Sequence, residues 1–182
     1  MLGAVDSRLR EFATARACTR LALVKLGLSP VPILRGAWRE PIWPDGVVGS
    51  ITHCQGYRAA AVARQSDIVT IGIDAEPDEP LPPGILEQVA VAQEIAWIAT
   101  ARSGVHWDRL LFSAKESVFK AWYPLARDWL GFEQAVVSFC PSERTFRVRV
   151  LIPTPMRFGP ELFTGRFIMS DGLLLTAVVI KN

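Results

Sequence analysis

The chain has 182 residues, of which 50% are hydrophobic and 21% charged, a composition that is typical of a globular protein and excludes a disordered one. Its formal net charge of +2 is too small to indicate binding to nucleic acid or to a membrane. Three widely spaced cysteines without a CxxC pair, and the lack of a signal-peptide or membrane-spanning pattern, indicate a cytoplasmic protein with reduced thiols.

The first predicted element is a long helix near the start of the chain. Asp6 or Ser7 can cap it, and Gly27 is expected to end it just after Leu26. Beside its apolar stripe lie three arginines, Arg8, Arg16 and Arg20. Arginines on a helix surface most often serve solubility, but the guanidinium fork also matches the geometry of a phosphate.

Residues 29–44 are rich in proline, glycine and tryptophan and are predicted to form an irregular loop that contains Arg35. A loop of this length is either disordered or functional. Its apolar residues indicate that it packs down on the protein, namely Ile33, Leu34, Trp38 and Trp43.

Three strands are predicted next, at residues 47–53, 58–64 and 68–74, and we expect them to form a three-stranded meander. The first strand ends in the sequence Gly49-Ser50-Ile51-Thr52-His53. A single histidine is usually structural, although a strand end beside a loop is also a common place for a ligand contact. Both interpretations of His53 stay open at this point.

Two acidic residues, Asp74 and Glu76, directly follow the apolar end of the third strand and lie on the same side of an extended chain. Two carboxylates about 4 Å apart repel each other by about 4 kcal/mol at an effective dielectric constant near 20. A hard divalent cation such as Mg²⁺ removes that repulsion and prefers oxygen ligands. A solvated strand end without a metal is the alternative.

The second part of the chain begins after a proline-rich linker at residues 78–83. Helices are predicted at residues 85–100 and 108–129, the second starting at Asp108 or at Ser113 and ending before Gly131. Four strands follow, and an Asp171-Gly172 turn joins the last two. These strands are predicted at residues 135–139, 146–151, 166–169 and 173–180.

The order of elements predicts an α+β protein built from two pseudo-symmetric halves, each a helix packed on a small antiparallel sheet. The N-terminal half is expected at residues 1–77 and the C-terminal half at residues 84–182. Because the two halves lie on one chain, we expect a monomer.

The second long helix carries Glu116 and Lys120 one turn apart, with Lys115 beside them. On its own the segment is more typical of a capping box of Ser113 with Glu116 and an ordinary surface ion pair of Glu116 with Lys120. Together with Asp74 and Glu76, however, it gives three acids and two lysines, which suit Mg²⁺-assisted phosphoryl chemistry. The chain has no GxxxxGK[ST] loop, which argues against a P-loop nucleotide hydrolase.

Three motifs, in this order along the chain, resemble the signatures of the 4′-phosphopantetheinyl transferases, in the Sfp-type and EntD-like branch. They are Gly49-Ser50-Ile51-Thr52-His53, Gly72-Ile73-Asp74-Ala75-Glu76, and Phe112-Ser113-Ala114-Lys115-Glu116-Ser117 with Lys120-Ala121. The Arg35-Gly36 loop and the Trp43-Pro44 pair look most similar to actinobacterial members. Relatives usually carry some tens of residues before the first helix, so we expect stability or the nucleotide pocket to differ here.

The resemblance implies transfer of the phosphopantetheine arm of coenzyme A to a serine of an apo acyl or peptidyl carrier protein, with release of adenosine 3′,5′-bisphosphate. It further implies that Mg²⁺, with Mn²⁺ as a possible substitute, is held by Asp74, Glu76 and Glu116. Glu116 is the first choice for the general base and Glu76 the second. Lys120 and His53 are expected to be catalytic and also to contact the coenzyme. The full set of residues expected to contact the coenzyme is Arg8, Arg16, Arg35, Ser50, Thr52, His53, Lys115 and Lys120. Trp122, Leu125 and Trp129 are expected to shape the pantetheine channel or the carrier-protein groove, or simply to bury the apolar side of their helix.

Two other functions compete with this interpretation. A metal-dependent nuclease also uses an Asp-x-Glu pair with a distant glutamate and lysine, but it needs a basic groove that the small net charge does not favour. A module that binds coenzyme A or a carrier protein without catalysis would have no need for all three acids. The sequence therefore predicts an active transferase.

Overall fold

The structure is a computed structural model that describes residues 2–101, 103–152 and 162–182, with side chains described for 12–101, 103–152 and 163–182. Helix α1 spans Leu2–Lys25. Gly27 follows it with a φ of 79°, the left-handed conformation that glycine adopts at a helix end, so the predicted end is confirmed. Leu23 on this helix packs with Ile33 and Val47 in a small core of the N-terminal part.

The segment predicted as an irregular loop contains a short hairpin of strands β1 (Leu34–Arg35) and β2 (Pro41–Ile42). Strands β3 (Val47–Cys54) and β4 (Tyr57–Arg64) then form a separate two-stranded antiparallel sheet. Helix α1 packs against β4 and β3.

The predicted three-stranded meander is wrong, because strand β5 (Ile68–Pro77) does not pair with β4. It pairs instead with β9 (Leu173–Lys181) at the edge of a five-stranded antiparallel sheet in the order β5-β9-β8-β7-β6. Its other edge is covered by β3, whose Ser50 and Thr52 hydroxyls accept hydrogen bonds from the Ile73 and Ala75 amides. At this edge of the sheet, the two hydroxyls take the place of the backbone carbonyls that a neighbouring paired strand would offer to the Ile73 and Ala75 amides.

The other strands of this sheet are β6 (Ala135–Cys140), β7 (Thr145–Val150) and β8 (Leu162–Ser170). The predicted hairpin turn between β8 and β9 is confirmed, since Asp171 and Gly172 have φ values of 54° and 73°, as a two-residue turn of this type requires. Because β5 belongs to this sheet, the sheet joins strands from both sides of the predicted linker at 78–83.

The predicted helix at 85–100 is divided into α2 (Leu86–Val89) and α3 (Ala92–Thr100). Helix α4 spans Trp107–Ala126, so its start lies near Asp108 and not at Ser113. It ends before Arg127, which adopts a left-handed conformation with a φ of 53°, and not at Gly131 as predicted. A short 3₁₀ turn at Phe132–Gln134 leads into β6.

Helix α4 lies directly on the sheet and supplies much of the main core, including Leu110, Leu111 and Val118. Two polar contacts fix it there: the Thr70 hydroxyl donates to the Ala121 carbonyl at 2.9 Å, and the Ser113 and Thr176 hydroxyls are 2.9 Å apart. Its position on β5 brings α4 next to the end of that strand. No helix in the described part of the chain is both long enough and apolar enough to cross a membrane.

Candidate active site

Asp74, near the end of β5, lies at the centre of a polar cluster that faces α4. Lys120 of α4 donates from its Nζ to Asp74 Oδ1 at 2.6 Å and to the Ile73 carbonyl at 3.2 Å. The Thr52 hydroxyl of β3 donates to the same Asp74 oxygen at 3.2 Å. Asp74 is 6% exposed, and its second oxygen, Oδ2, is buried without a hydrogen-bond partner.

Glu76, two residues farther along β5, has a different cation. Arg109, in the first turns of α4, donates from Nη1 to Glu76 Oε2 at 2.9 Å. Burial raises the pKa of Glu76 and the nearby Asp74 raises it further, while Arg109 and Lys120 lower it. Each of the two acids of β5 is therefore balanced by one cation of α4.

Glu116, the third predicted acid, lies on α4 one turn before Lys120. Burial raises the pKa of Glu116, and the charges of Asp74 and Glu76 raise it as well, whereas Lys120 lowers it. The charges of Asp74 and Glu76 thus reach Glu116 across the junction of β5 and α4. Lys120 contacts Asp74 directly and its charge also reaches Glu76 and Glu116, so these four residues lie near one another, and their role as a metal site stays a prediction.

A metal ion can be tested against this site by its chemistry. The donors are carboxylates, which hard cations such as Mg²⁺ prefer, and Asp74 Oδ2 is a buried oxygen that lacks a partner. Among the described residues, no three His, Cys, Asp or Glu side chains are grouped as a ready-made metal site. Lys120 and Arg109 occupy one oxygen each of Asp74 and Glu76, and the free oxygen of Asp74 fits a cation.

A second basic region lies on the N-terminal part, where Arg16 and Arg35 both lie over the ring of Phe12. Their guanidinium carbons are 4.6 and 4.0 Å from the ring centroid. Burial lowers the pKa of Arg16, and the charge of Arg35 lowers it further. Arg16 also donates from Nε to the Ile33 carbonyl at 3.0 Å. Two adjacent cations favour an anion between or beside them, whereas the predicted partner Arg8 lies outside the described side chains.

The Gly49–His53 motif divides into two kinds of position. Ser50 and Thr52 are each 3% exposed, and their hydroxyls join β3 to β5. Direct side-chain contact with the coenzyme, which we predicted for both, does not fit this placement. His53 is exposed on β3 opposite Arg58 and is open to a ligand.

Lys115 also differs from the prediction. Its ammonium donates to Glu94 Oε2, the Val89 carbonyl and the Phe132 carbonyl, each at 2.8 Å. The Lys115 and Glu94 side chains are both 2% exposed. Since all three ammonium hydrogens are used in a closed interior, the predicted contact to the coenzyme does not fit, and Lys115 instead binds α4 to α2 and α3.

The two tryptophans that are expected to shape a channel or groove differ in their exposure. Trp122 is 3% exposed and belongs to the core, whereas Trp129 is 66% exposed and packs its ring 4.9 Å from that of Phe119. Of the two, only Trp129 is placed to line an open channel or groove.

Sequence reasoning missed Arg109 and Glu94. Arg109 lies seven residues before Glu116, two helical turns away on the same face of α4, and that spacing could have indicated it. Glu94 carries no comparable signal, because it lies 21 residues before its partner Lys115 on a different helix.

Comparison with known proteins decides the family. A family model described as the 4′-phosphopantetheinyl transferase N-terminal domain matches residues 2–63, and one described as the 4′-phosphopantetheinyl transferase superfamily matches residues 70–162. The chain belongs to the 4′-phosphopantetheinyl transferase family. These matches confirm the predicted family and transferase activity, and the helices and antiparallel sheets of the structure confirm the predicted α+β class.

Named phosphopantetheinyl transferases from actinobacteria are similar over nearly the whole chain. Svp from Streptomyces mobaraensis is 53% identical over 182 residues, which cover 97% of this chain and 74% of Svp. Npt from Nocardia iowensis is 48% identical over 184 residues, covering 96% of this chain and 83% of Npt. PptT from Mycobacterium tuberculosis is 47% identical over 184 residues, covering 97% of this chain and 81% of PptT.

The first region that matches a transferase model ends at residue 63 in β4, and the second begins at residue 70 in β5. Strand β5, which holds two of the three acids, thus falls in the same matched region as α4. This division agrees with the strand order, which places β5 in the sheet with β9.

Proposed function

We propose that this phosphopantetheinyl transferase moves the phosphopantetheine arm of coenzyme A to a serine of an apo acyl or peptidyl carrier protein, with Mg²⁺ as the metal. The observation that carries the proposal is the cluster of Asp74, Glu76 and Glu116 at the junction of β5 and α4, with Lys120 on Asp74. We also propose a cytoplasmic monomer.

In this proposal Asp74, Glu76 and Glu116 hold the metal, and Asp74 Oδ2 is the oxygen that is free for it. Bound Mg²⁺ would neutralise charge on the pyrophosphate of coenzyme A. Mn²⁺ also prefers such oxygen ligands and would replace Mg²⁺.

Cations of the chain supply the remaining phosphate contacts. Lys120 is 27% exposed and can turn from Asp74 towards a phosphate, and exposed His53 lies on the neighbouring β3. Arg16 and Arg35, next to each other on Phe12, would bind phosphate of the nucleotide. Arg8 remains a further proposed contact.

The chemical step joins the serine oxygen of the carrier to the phosphorus that bears pantetheine. The bond from this phosphorus to the bridging oxygen of the pyrophosphate breaks, and adenosine 3′,5′-bisphosphate leaves with that oxygen. Glu116 takes the serine proton, directly or through water, with Glu76 as the second choice. Lys120 offsets negative charge on the phosphoryl group while the bond breaks.

The test is intact-mass spectrometry of an apo carrier protein after incubation with the enzyme, coenzyme A and Mg²⁺. We expect a mass gain of one phosphopantetheine that disappears when a chelator is added, and that is lost in Asp74→Asn but kept in the control Asp45→Asn, an exposed aspartate. A gain that is unaffected by chelator and by Asp74→Asn would refute the metal site. Coenzyme A binding without any gain on acyl and peptidyl carriers would favour the non-catalytic binding module.

A further inference from the structure

We propose that Arg109 is a positioning residue, which holds Glu76 and the segment that follows it in place for metal binding. This inference rests on the proposed function, because it takes Glu76 as a ligand of the metal. Arg109 lies outside the three motifs. Its proposed role does not require contact with the substrate.

Arg109 makes several contacts that point in different directions. Besides its bond to Glu76 at 2.9 Å, the guanidinium donates from Nε to the Glu79 carbonyl at 3.2 Å and from Nη2 to the Pro80 carbonyl at 2.9 Å. Nη2 also lies 3.5 Å from the Glu79 carboxylate. The Arg109 side chain is only 12% exposed. A planar fork that binds acceptors in several directions fixes their relative positions, which a lysine ammonium does less well.

Residues at and just before the start of α4 hold the same segment. Asp108 accepts a hydrogen bond from the Leu81 amide at 2.8 Å, and His106 Nδ1 lies 2.8 Å from Asp78 Oδ1. The Asp78 amide donates to the Gly172 carbonyl at 2.8 Å. Residues 76–81, part of which we predicted as a linker, are therefore tied to the start of α4 and to the turn before β9.

The charges around Glu76 also favour this role for Arg109. Glu76 is close enough to Asp74 and Glu116 for each charge to act on the others, and all three repel when ionised. Lys120 compensates Asp74, whereas Arg109 is the cation hydrogen-bonded to Glu76. Without Arg109, Glu76 would lower its energy by turning from the other acids towards solvent. The metal would then have to pull it back, so its affinity would fall.

The experiment compares the native enzyme with Arg109→Met and Arg109→Lys, and with Arg147→Met as a control for loss of an exposed arginine on β7. Removal of a group that orients a metal ligand typically costs 10- to 100-fold in metal affinity. We expect the Mg²⁺ concentration for half-maximal transfer to rise by about 10-fold or more in Arg109→Met, less in Arg109→Lys, and not in Arg147→Met. At saturating Mg²⁺, kcat should largely recover.

A second measurement does not depend on activity. Binding of Mn²⁺, followed by the electron paramagnetic resonance signal of the free ion, should weaken in the same order among the variants. If Arg109→Met lowers the Tm but leaves both metal measurements unchanged, Arg109 is merely structural and the inference is wrong; tighter metal binding would also refute it. If Arg109→Met does not fold, Arg109→Lys decides by the same criteria. If the native enzyme needs no divalent metal, the proposed function itself fails.

Discussion

Gly72 of β5 allows α4 to approach the sheet so closely that any side chain at this position would collide with the helix backbone. A Cβ atom there would lie 2.8 Å from the Ala121 nitrogen and 2.9 Å from the Ser117 carbonyl carbon, with the Ser117 oxygen nearer still. All three atoms belong to the backbone of α4, so no rotation of a side chain can relieve the contact. We predict that Gly72→Ala pushes α4 away from β5.

The size of the effect follows from the rigidity of both partners. Overpacking in a core typically costs about 1–3 kcal/mol. Because both sides of this contact are backbone, we expect the upper end, about 3 kcal/mol or more. For a chain of this length that corresponds to a fall in Tm of about 6–12 °C. The displacement also separates Glu116 and Lys120 on α4 from Asp74 on β5, so kcat should fall even at temperatures where the variant stays folded.

The assay is thermal unfolding together with transfer measured by intact mass, with Gly84→Ala as the matched control. Gly84 has a φ of 81°, and a Cβ atom added to it would have no other atom within 4 Å, so its replacement costs only backbone strain of about 1–2 kcal/mol. The reasoning would be refuted if Gly72→Ala unfolded within about 2 °C of the native protein, or lost no more stability than Gly84→Ala.

Three further predictions concern separate parts of the molecule. Lys115→Met should lower the free energy of unfolding in urea by about 3–5 kcal/mol, because it leaves the Glu94 carboxylate buried without its cation. Burial, Glu76 and Asp74 raise the pKa of the Cys54 thiol, so its alkylation, followed by peptide mass, should require higher pH than that of an ordinary cysteine. Saturating Mg²⁺ should shift this pH profile back down, because a bound cation cancels the charge of the acids. Arg35→Met should raise the KM for coenzyme A by about tenfold or more with little change in kcat, since a hydrogen bond to a charged group is worth about 1.5–3 kcal/mol.

Each of these has a result that would contradict it. Unchanged urea stability of Lys115→Met would mean that water reaches Glu94. A Cys54 profile that does not respond to Mg²⁺ would place the metal away from the acids. A fall in kcat with unchanged KM for Arg35→Met would remove the arginine from the coenzyme site.

Much of this site could be predicted because its acids and Lys120 lie in short motifs, and the geometry of a strand or a helix alone sets the spacing within each motif. Asp74 and Glu76 are two residues apart on a strand, and Glu116 and Lys120 one turn apart on a helix. The local geometry thus sets the relative positions of the two residues in each pair. Only the contact between strand β5 and helix α4 had to come from the structure.

The failures came from contacts between residues that are distant in sequence. Lys115 shares a motif with Glu116, but the side chains of neighbouring helix residues point about 100° apart. The Lys115 side chain points into the interior towards Glu94. Ser50 and Thr52 likewise point towards β5. The pairing of β5 could not be predicted because strands 68–74 and 58–64 are joined by a short turn, which favours a hairpin unless another strand competes.

The pairing of β5 with β9 also determines when the site can exist during synthesis. Asp74 lies opposite Thr176 in the ladder, a separation of 102 residues along the chain. At about 5–20 residues per second, a ribosome needs about 5–20 s to cover that distance. Until β9 emerges, β5 has an unpaired edge that could join another chain, and its acids lack a fixed position. The proposed site therefore takes its final form only after β9 has been synthesised.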